Sequence, residues 1–478
     1  MARPKSKTKK ILFAVEIIVL LLFIGGLYVY GQLNSKLDKI NQPVLDDSKI
    51  KVNQEVQDSI DSQESTLTGY TTYALFGIDH RDKNTALGGE NSDTIIIASV
   101  NNDTKDVKLV SVYRDTLLNL GNDTYSKANA AYAYGEAEQA ITMLNTNLDL
   151  NISEYATVNF NALTTIIDDL GGLDMDMSYA EIVHMNNYCV ETSEETGKDY
   201  TPIELPDRPD DIEAVQYHYH LNGVQATSYC RIRYTASMDM GRTERQRRVI
   251  GMMVDKAKAA GITTIFNIMD EVFPMISTSI TKTEILNLIP TLMGYNIADT
   301  TGFPAKYKFA DVKKASMVVA DTLEDNVKEL HKFLYGADEN YQPSQNIVEA
   351  NARIIELVGG ADTLVDQSPI ASNEAGNSSD IVWQGDGSGN YDYNDYGGSD
   401  YDNSYDNSYD NSYDNSYDNS YDSGNDYSGD DSGDYSDGSY DSGSDSGSSY
   451  DNGGRLQRAE IIVETAPGDG GFEDGSGY

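Results

Sequence analysis

Basic residues are scarce in this chain: 35 lysines and arginines stand against 77 aspartates and glutamates, a formal charge of −42 over 478 residues. Such a polyanion repels nucleic-acid phosphates, so DNA and RNA are excluded as partners, and so is a broad polybasic membrane surface. Cysteine is scarcer still. Cys189 and Cys230 are the only two, too few for a disulfide scaffold or a zinc site. In an extracellular domain they are expected to form one disulfide; the alternative is a pair of buried thiols. The five histidines are scattered, and His218 and His220, alternating near an expected strand, read as structural. There is no phosphate-binding P-loop, no GxGxxG and no H-E-x-x-H, and no Ser/His/Asp or Cys/His set suggests itself. Catalysis would rest on carboxylate, metal and arginine, the set that serves phosphoryl transfer.

The positive charge that does exist is concentrated. Six arginines (Arg231, Arg233, Arg242, Arg245, Arg247, Arg248) fall within eighteen residues. The planar guanidinium suits phosphate oxygens and stays charged when partly buried, so this knot is expected to grip a diphosphate. Arg231 and Arg233 are two apart on an expected strand, Tyr229 to Tyr234, and would share a face. Arg242, Gln246, Val249 and Met253 form one helical stripe that starts polar and turns apolar, as when a helix's first turn lines a cleft. A helix N-terminus adds its own attraction for anions. Arg114, after the third strand, is placed to join them. The competing readings are a solvated face paired with Asp115, Asp239 and Glu244, and a capping box of Thr243 with Gln246. Among the acids, Asp79 ends the first strand and Asp93 just precedes the second. Two carboxylates at adjacent strand ends suit Mg²⁺, which keeps waters and substrate phosphates; the competing reading is a pair of turn residues.

Both ends of the chain differ from its middle. Residues 1–10 are basic, and Ile11 to Tyr30 are apolar apart from Glu16. Twenty residues span about 30 Å, one bilayer core. Lysine and arginine before the span place the N-terminus in the cytoplasm and the rest outside. A cleaved signal peptide fits less well, because the apolar run is long and no A-x-A-like site follows. Residues 31–70 read as a stalk and linker. From 366 to 478 Gly, Ser, Asp, Asn and Tyr dominate, with five YDNS units from Tyr401 to Ser420. That tail has too little apolar content to offset chain entropy and is expected to be disordered.

Between them lies an expected α/β domain over 71–345, a mixed central sheet flanked by helices, followed by a last helix and linker over 346–365. Tyr73 to Asp79, Thr94 to Asn101 and Val107 to Tyr113 read as strands, the latter two a hairpin across Asn101-Asn102-Asp103. Residues 126–149 read as helix, and Tyr155 to Phe160 as strand. A helix over Ala162 to Leu170 is expected, capped by Asn161 and stopped by Gly171-Gly172, and a strand over Leu173 to Met177. Residues 178–222 read as irregular, helical in part around Glu181 to Tyr188. Helices are expected at Arg242 to Ala259, twice within 263–300, at 321–335 and at 346–358.

These residues together resemble one family. The runs Gly77-Ile78-Asp79, Ser92-Asp93-Thr94, Val110 to Thr116 with Arg114-Asp115 inside it, and Lys127-Ala128-Asn129-Ala130-Ala131-Tyr132 are similar in order and spacing to the LytR-CpsA-Psr family. So are Leu221 to Ala226, Tyr229-Cys230-Arg231-Ile232-Arg233-Tyr234 and Arg242-x-x-Arg245-Gln246. The resemblance covers about 73–250. It implies an external, membrane-tethered phosphotransferase, mostly of Gram-positive bacteria. Such an enzyme moves a glycopolymer (teichoic acid, capsule or similar) from polyprenyl diphosphate to peptidoglycan and leaves polyprenyl phosphate. On that footing Asp79 and Asp93 would serve Mg²⁺ and the diphosphate chemistry, with Asp93 the candidate base. Arg114, Arg231 and Arg233 would bind the diphosphate, and Arg242, Arg245, Gln246 and Lys127 would complete the substrate site. The prenyl chain needs an apolar groove, for which Val249, Met252 and Met253 are the candidates. Two departures stand out: Asn91 occupies a position that is often arginine in the family, and the YDNS tail is foreign to it. Two other functions are kept beside this one, a non-catalytic wall-associated binding protein working through the tail and a hydrolase that splits the lipid diphosphate with water.

Overall fold

The computed structural model describes residues 38–46, 48–80, 87–233, 238–337 and 340–366. The expected cytoplasmic segment, membrane span and acidic tail lie outside the described residues. Among the described residues no helix is long and apolar enough to cross a membrane.

In chain order the elements begin with α1 (Gln54–Asp61), β1 (Tyr70–Ile78), β2 (Ser92–Asn101) and β3 (Asp106–Val112). The short strands β4 (Leu117–Asn119) and β5 (Tyr125–Lys127) follow, then α2 (Ala130–Leu148), β6 (Glu154–Asn159) and α3 (Phe160–Asp169). Next come β7 (Leu173–Ser178), α4 (Tyr179–Thr196), β8 (Gln216–Leu221), α5 (Gly223–Arg231) and α6 (Met238–Val272). The chain closes with β9 (Ile276–Thr278), α7 (Lys282–Leu288), β10 (Asn296–Phe303), β11 (Tyr307–Val312), β12 (Ala315–Ala320), α8 (Leu323–Tyr335) and α9 (Gln345–Leu357).

The fold is α/β, with a mixed central sheet in the order β10-β3-β2-β1-β6-β9. β1 pairs antiparallel with β2 and parallel with β6, and β3 pairs parallel with β10. β1 shows the period of a half-covered strand: Thr72, Ala74, Phe76 and Ile78 are buried, while Tyr73 and Leu75 between them are half-buried. The buried side faces the main core, where α2, α8 and α9 contribute Leu144, Leu334 and Ile354. The other side carries a smaller apolar cluster of Ile96, Ala98 and Leu109, with half-buried Tyr73, Leu75, Val107, Ile297 and, from α6, Ile250 packed against it. A second core gathers α3, α4, α5 and the β7–β8 ribbon around Ile182, Cys189, Tyr229 and Val249.

Several expectations are corrected. The strand expected from Tyr229 is not formed over Tyr229 to Arg233: Asn222 and Gln225 form a complete capping box that starts α5, and the helix runs through Arg231. Six alternating residues could not signal that their first three close a helix begun upstream. Asn159, not Asn161, caps α3, its side chain accepting from the Ala162 amide. The helix expected around Glu181 to Tyr188 is present but longer, running over residues 179–196 from a Ser178–Glu181 capping box. The second half of the expected stalk is part of the domain, since Val56 and Leu67 sit in the main core. Both helices expected within 263–300 are present, one as the part of α6 beyond a kink at Gly261 and the other as the short α7. Asn296–Phe303 is instead a strand on the edge of the sheet. The β11–β12 hairpin was not foreseen.

Candidate functional site

Site residues collect where β1, β3, β6 and β10 end and β2 begins. Pairing of Ile78 with Ser92 sets Asp79 and Asp93 at neighbouring strand ends. Gly77 permits this closeness: a Cβ there would lie 2.9 Å from the Cβ of Thr94. Backbone bonds lace the surrounding loops. The Ser92 amide donates to the Asn129 carbonyl at 3.3 Å, the Asn129 amide to the Arg114 carbonyl at 3.0 Å, and the Ala128 amide to the Thr116 carbonyl at 2.9 Å. Three runs far apart in sequence are thereby one rigid unit.

Asp93 is its centre. Arg114 Nη1 lies 2.7 Å from Asp93 Oδ1 and Arg233 Nη2 lies 3.6 Å from Oδ2. Arg242, buried on α6, donates to the Asp93 backbone carbonyl at 3.2 Å. Burial alone would raise the Asp93 carboxyl, but the Arg114, Arg242 and Arg233 guanidiniums outweigh it and hold the group well below the usual carboxylate range. Asp115 continues the array, 3.8 Å from Arg114 Nε and 3.0 Å from Lys127 Nζ. It too is held low, burial being outweighed by Arg114 and Lys127. Four cations (Arg114, Lys127, Arg233, Arg242) thus meet two carboxylates, a concentration of basic side chains in a strongly negative chain. Asp115 entered the sequence reading only as a neutralising neighbour; its place in the Arg114-Asp115-Thr116 run was the signal for it.

Other candidates go elsewhere. Arg231 closes α5 and turns toward α4, with Nη2 2.8 Å from Glu191 and Nη1 3.0 Å from Glu195, and its guanidinium lies over the Phe160 ring at 4.6 Å. It does not share a face with Arg233, because the strand that would have aligned them is absent. Arg245 is buried, 3.4 Å from Glu181 and donating to the Ile232 carbonyl at 2.8 Å, so it ties α6 to α4 and the end of α5. Gln246 reaches the Cys230 carbonyl at 3.4 Å, and its Oε1 is buried with no hydrogen-bond partner. Thr243 lies inside α6 and donates to the Met240 carbonyl at 2.8 Å, so it is not the helix cap. Val249 is fully buried in the second core and lines no groove. Cys189 and Cys230 are free thiols, not a disulfide: each is buried in that core, Ser228 engages Cys189, and burial pushes both up to about 12.

Asp79 borders a recess on the β6 side of the sheet with His80, Asn159, Phe160, Asn161, Glu195 and Thr196. His80 Nδ1 lies 2.6 Å from Glu90 Oε1. Sequence reasoning missed Glu195, which lies in the part of α4 beyond the helix expected around Glu181 to Tyr188. Among the described residues no group of three or more His, Cys, Asp or Glu gathers to hold a metal. The donor chemistry of Asp79 and Asp93 fits Mg²⁺ only where substrate phosphates supply further oxygens, the usual arrangement for that ion.

A family model, LytR_cpsA_psr, matches residues 27–332. The polyisoprenyl-teichoic acid–peptidoglycan teichoic acid transferase TagU of Enterococcus faecalis is 31% identical over 257 residues, covering 52% of this chain and 72% of the relative. The corresponding transferase TagV of Bacillus subtilis is 26% identical over 304 residues, covering 61% of this chain and 68% of the relative. A solved structure of the family protein YwtF (TagT) with bound octaprenyl pyrophosphate aligns at a TM-score of 0.41 and 16% identity, over 57% of this chain and 91% of that one.

Proposed function

The chain belongs to the LytR-CpsA-Psr family, and from that premise we propose that it transfers a glycopolymer from a polyprenyl diphosphate carrier to peptidoglycan. The teichoic acid–peptidoglycan transferase activity for which its relatives TagU and TagV are named supports this reading. The observation that carries it is Asp93, held by Arg114 and Arg233 through its carboxylate and by Arg242 through its backbone, in a positive cluster beside an apolar sheet face. The cluster suits a diphosphate. The half-buried Tyr73, Leu75, Val107 and Ile250 at the edge of that face offer the apolar surface a prenyl chain needs, in place of the groove expected at Val249.

In the reaction a peptidoglycan hydroxyl oxygen attacks the phosphorus that carries the glycopolymer. A new P–O bond forms, the bond to the bridging oxygen breaks, and prenyl phosphate leaves with the electron pair; the hydroxyl proton passes to Asp79 or to solvent. Arg114, Arg233 and Arg242 stabilise the charge that builds on the leaving phosphate. Asp93, held far below the usual range, is a weak proton acceptor, so its part is to fix the arginines rather than to act as base. Asp79 and Asp93 would hold Mg²⁺ together with the diphosphate, and the ion would neutralise phosphate charge. We place the domain outside the cell, tethered through residues 11–30 with the N-terminus inside, on the basic flank and length of that apolar run.

The test uses the full-length chain in detergent, a prenyl diphosphate-linked oligosaccharide and peptidoglycan fragments. Polymer-linked peptidoglycan should form, and Arg114→Gln should lower turnover by about 10²–10³-fold, the scale for losing one aimed donor to a developing charge. Prenyl phosphate released at the same rate without peptidoglycan would make the enzyme a hydrolase instead. Full activity in Arg114→Gln would remove the cluster from the chemistry.

A further inference from the structure

The arginine knot is not uniformly satisfied. Arg231 meets Glu191 and Glu195, Arg233 and Arg242 meet Asp93, Arg245 meets Glu181, and the exposed Arg248 donates to the Tyr229 hydroxyl. Arg247 differs. It is only 9% exposed, and its Nη1 donates to Thr243 Oγ1 on its own helix at 3.3 Å; its Nε is buried with no hydrogen-bond partner, a feature that other arginine Nε atoms of this region share, so what sets Arg247 apart is its lack of an acidic partner. Among the described residues no carboxylate forms an ion pair with it. The groups that act on it electrostatically are Tyr113, immediately before Arg114, and Glu244 on its own helix. Burial pushes its pKa down. Buried charges are ordinarily paired, and a chain with 77 acids had every means to pair this one.

Its position points to what would satisfy it. Ile250, three residues on, packs against Ile96, Ala98 and Leu109. Residues three apart share a helix face, so Arg247 lies on the sheet-facing side of α6, one turn closer to the strand ends and to Tyr113. There the arginine cluster gives way to the apolar sheet face. We propose that Arg247 is a further substrate-binding residue that holds the phosphate joined to the prenyl chain. The proposal rests on the function proposed above and deepens it: Arg114, Arg233 and Arg242 grip the diphosphate as a whole, while Arg247 recognises its lipid-side ester. The chemistry it reads is a phosphate monoester or diester, which the glycopolymer could also supply, so the experiment separates the two sources.

Wild-type, Arg247→Met, Arg247→Lys and Arg114→Gln full-length chains in detergent are titrated calorimetrically with farnesyl phosphate, farnesyl diphosphate and glycerol 3-phosphate, and ligand-free melting temperatures are recorded. Arg247→Met should bind farnesyl phosphate at least about 10-fold more weakly, the scale for losing hydrogen bonds to a charged group. Its ligand-free melting temperature should hold or rise, because an unpaired buried charge has gone; a residue needed only for packing would move it down. Arg247→Lys should recover part of the affinity, and it carries the test by the same criterion if Arg247→Met does not fold. Unchanged farnesyl phosphate affinity overturns the proposal, as does a greater loss for glycerol 3-phosphate, which would assign Arg247 to the polymer. Arg114→Gln losing binding while Arg247→Met keeps it would overturn this inference alone; a wild-type chain that binds neither prenyl probe would overturn the parent reading as well.

Discussion

Asp93 stays ionised because charge outweighs burial. Its depressed folded pKa means that its contribution to stability is complete above the unfolded value near 3.9 and is lost as pH falls through the folded value. The site therefore keeps its charge pattern through the neutral range without help from solvent. Cys189 and Cys230 show the opposite balance: burial outweighs the Ser228 contact at one and the Arg245 charge at the other, and both thiols are held protonated. A thiol whose pKa is near 12 offers almost no thiolate at pH 8. The native chain should therefore resist alkylation by iodoacetamide at pH 8 and take up two equivalents only after denaturation, with no mass change on prior reduction. A disulfide recovered from freshly purified protein would contradict the free-thiol arrangement. The sequence could suggest a bridge from compartment alone, because pairing depends on side-chain direction and not on spacing.

At the scale of elements, Arg231 and Arg233 owe their separate fates to where α5 begins. Asn222 accepts from the Gln225 amide at 3.0 Å, and Gln225 Oε1 accepts from the Asn222 amide at 2.9 Å. Asn222→Ala should cost about 1 kcal/mol of unfolding free energy, the usual worth of such a cap. Urea denaturation should show the midpoint lowered with an unchanged slope; an unchanged midpoint would mean that packing alone fixes α5. The first three strands were legible because alternation and the Asn101-Asn102-Asp103 turn agreed. The pairing of Asp93 with Arg114, and the nearness of Asp79 at the next strand end, were legible because each residue stands at or just beyond the end of such a strand. β10 was not, since Asn296, Asp299 and Thr300 on this edge strand are exposed and polar, leaving no apolar period to read. Only the first half of α4 was, since Asn186, Thr192 and Thr196 are buried polar residues that break the apolar stripe by which a helix is recognised. With the second half of α4 unread, the glutamates that claim Arg231 could not be assigned.

Across the whole molecule, one buried polar network joins segments nearly 300 residues apart. Asn53, ahead of α1, donates to Asp149 Oδ1 at 2.6 Å and to Ser344 Oγ at 3.0 Å, while the Ser344 amide donates to Asp149 Oδ2 at 2.7 Å. The Tyr341 hydroxyl donates to Asp149 Oδ2 at 3.1 Å, and its ring stacks on His331 at 4.2 Å. His331 Nε2 donates to the Leu148 carbonyl at 2.8 Å, and Nδ1 is buried with no hydrogen-bond partner. Placing a second proton on Nδ1 would bury an unsatisfied N–H. Burial accordingly lowers the His331 pKa, against the Leu148 carbonyl and the Asp149 charge, which favour protonation. A histidine held neutral in the fold contributes stability that is complete above its unfolded value near 6.5 and is lost as pH falls toward the folded value. The unfolded chain then binds the extra proton, and stability should decline by up to about 1.4 kcal/mol per pH unit. That window lies above the acid range in which Asp93 and Asp115 titrate, so the two effects separate. His331→Gln should be less stable than wild type at pH 7.5, having lost the stacked, bonded ring, yet should show a flatter profile between pH 6.5 and 5. Urea midpoints across that range provide the measurement. Parallel profiles for the two proteins would place the acid sensitivity at another histidine and leave the network a purely mechanical tie.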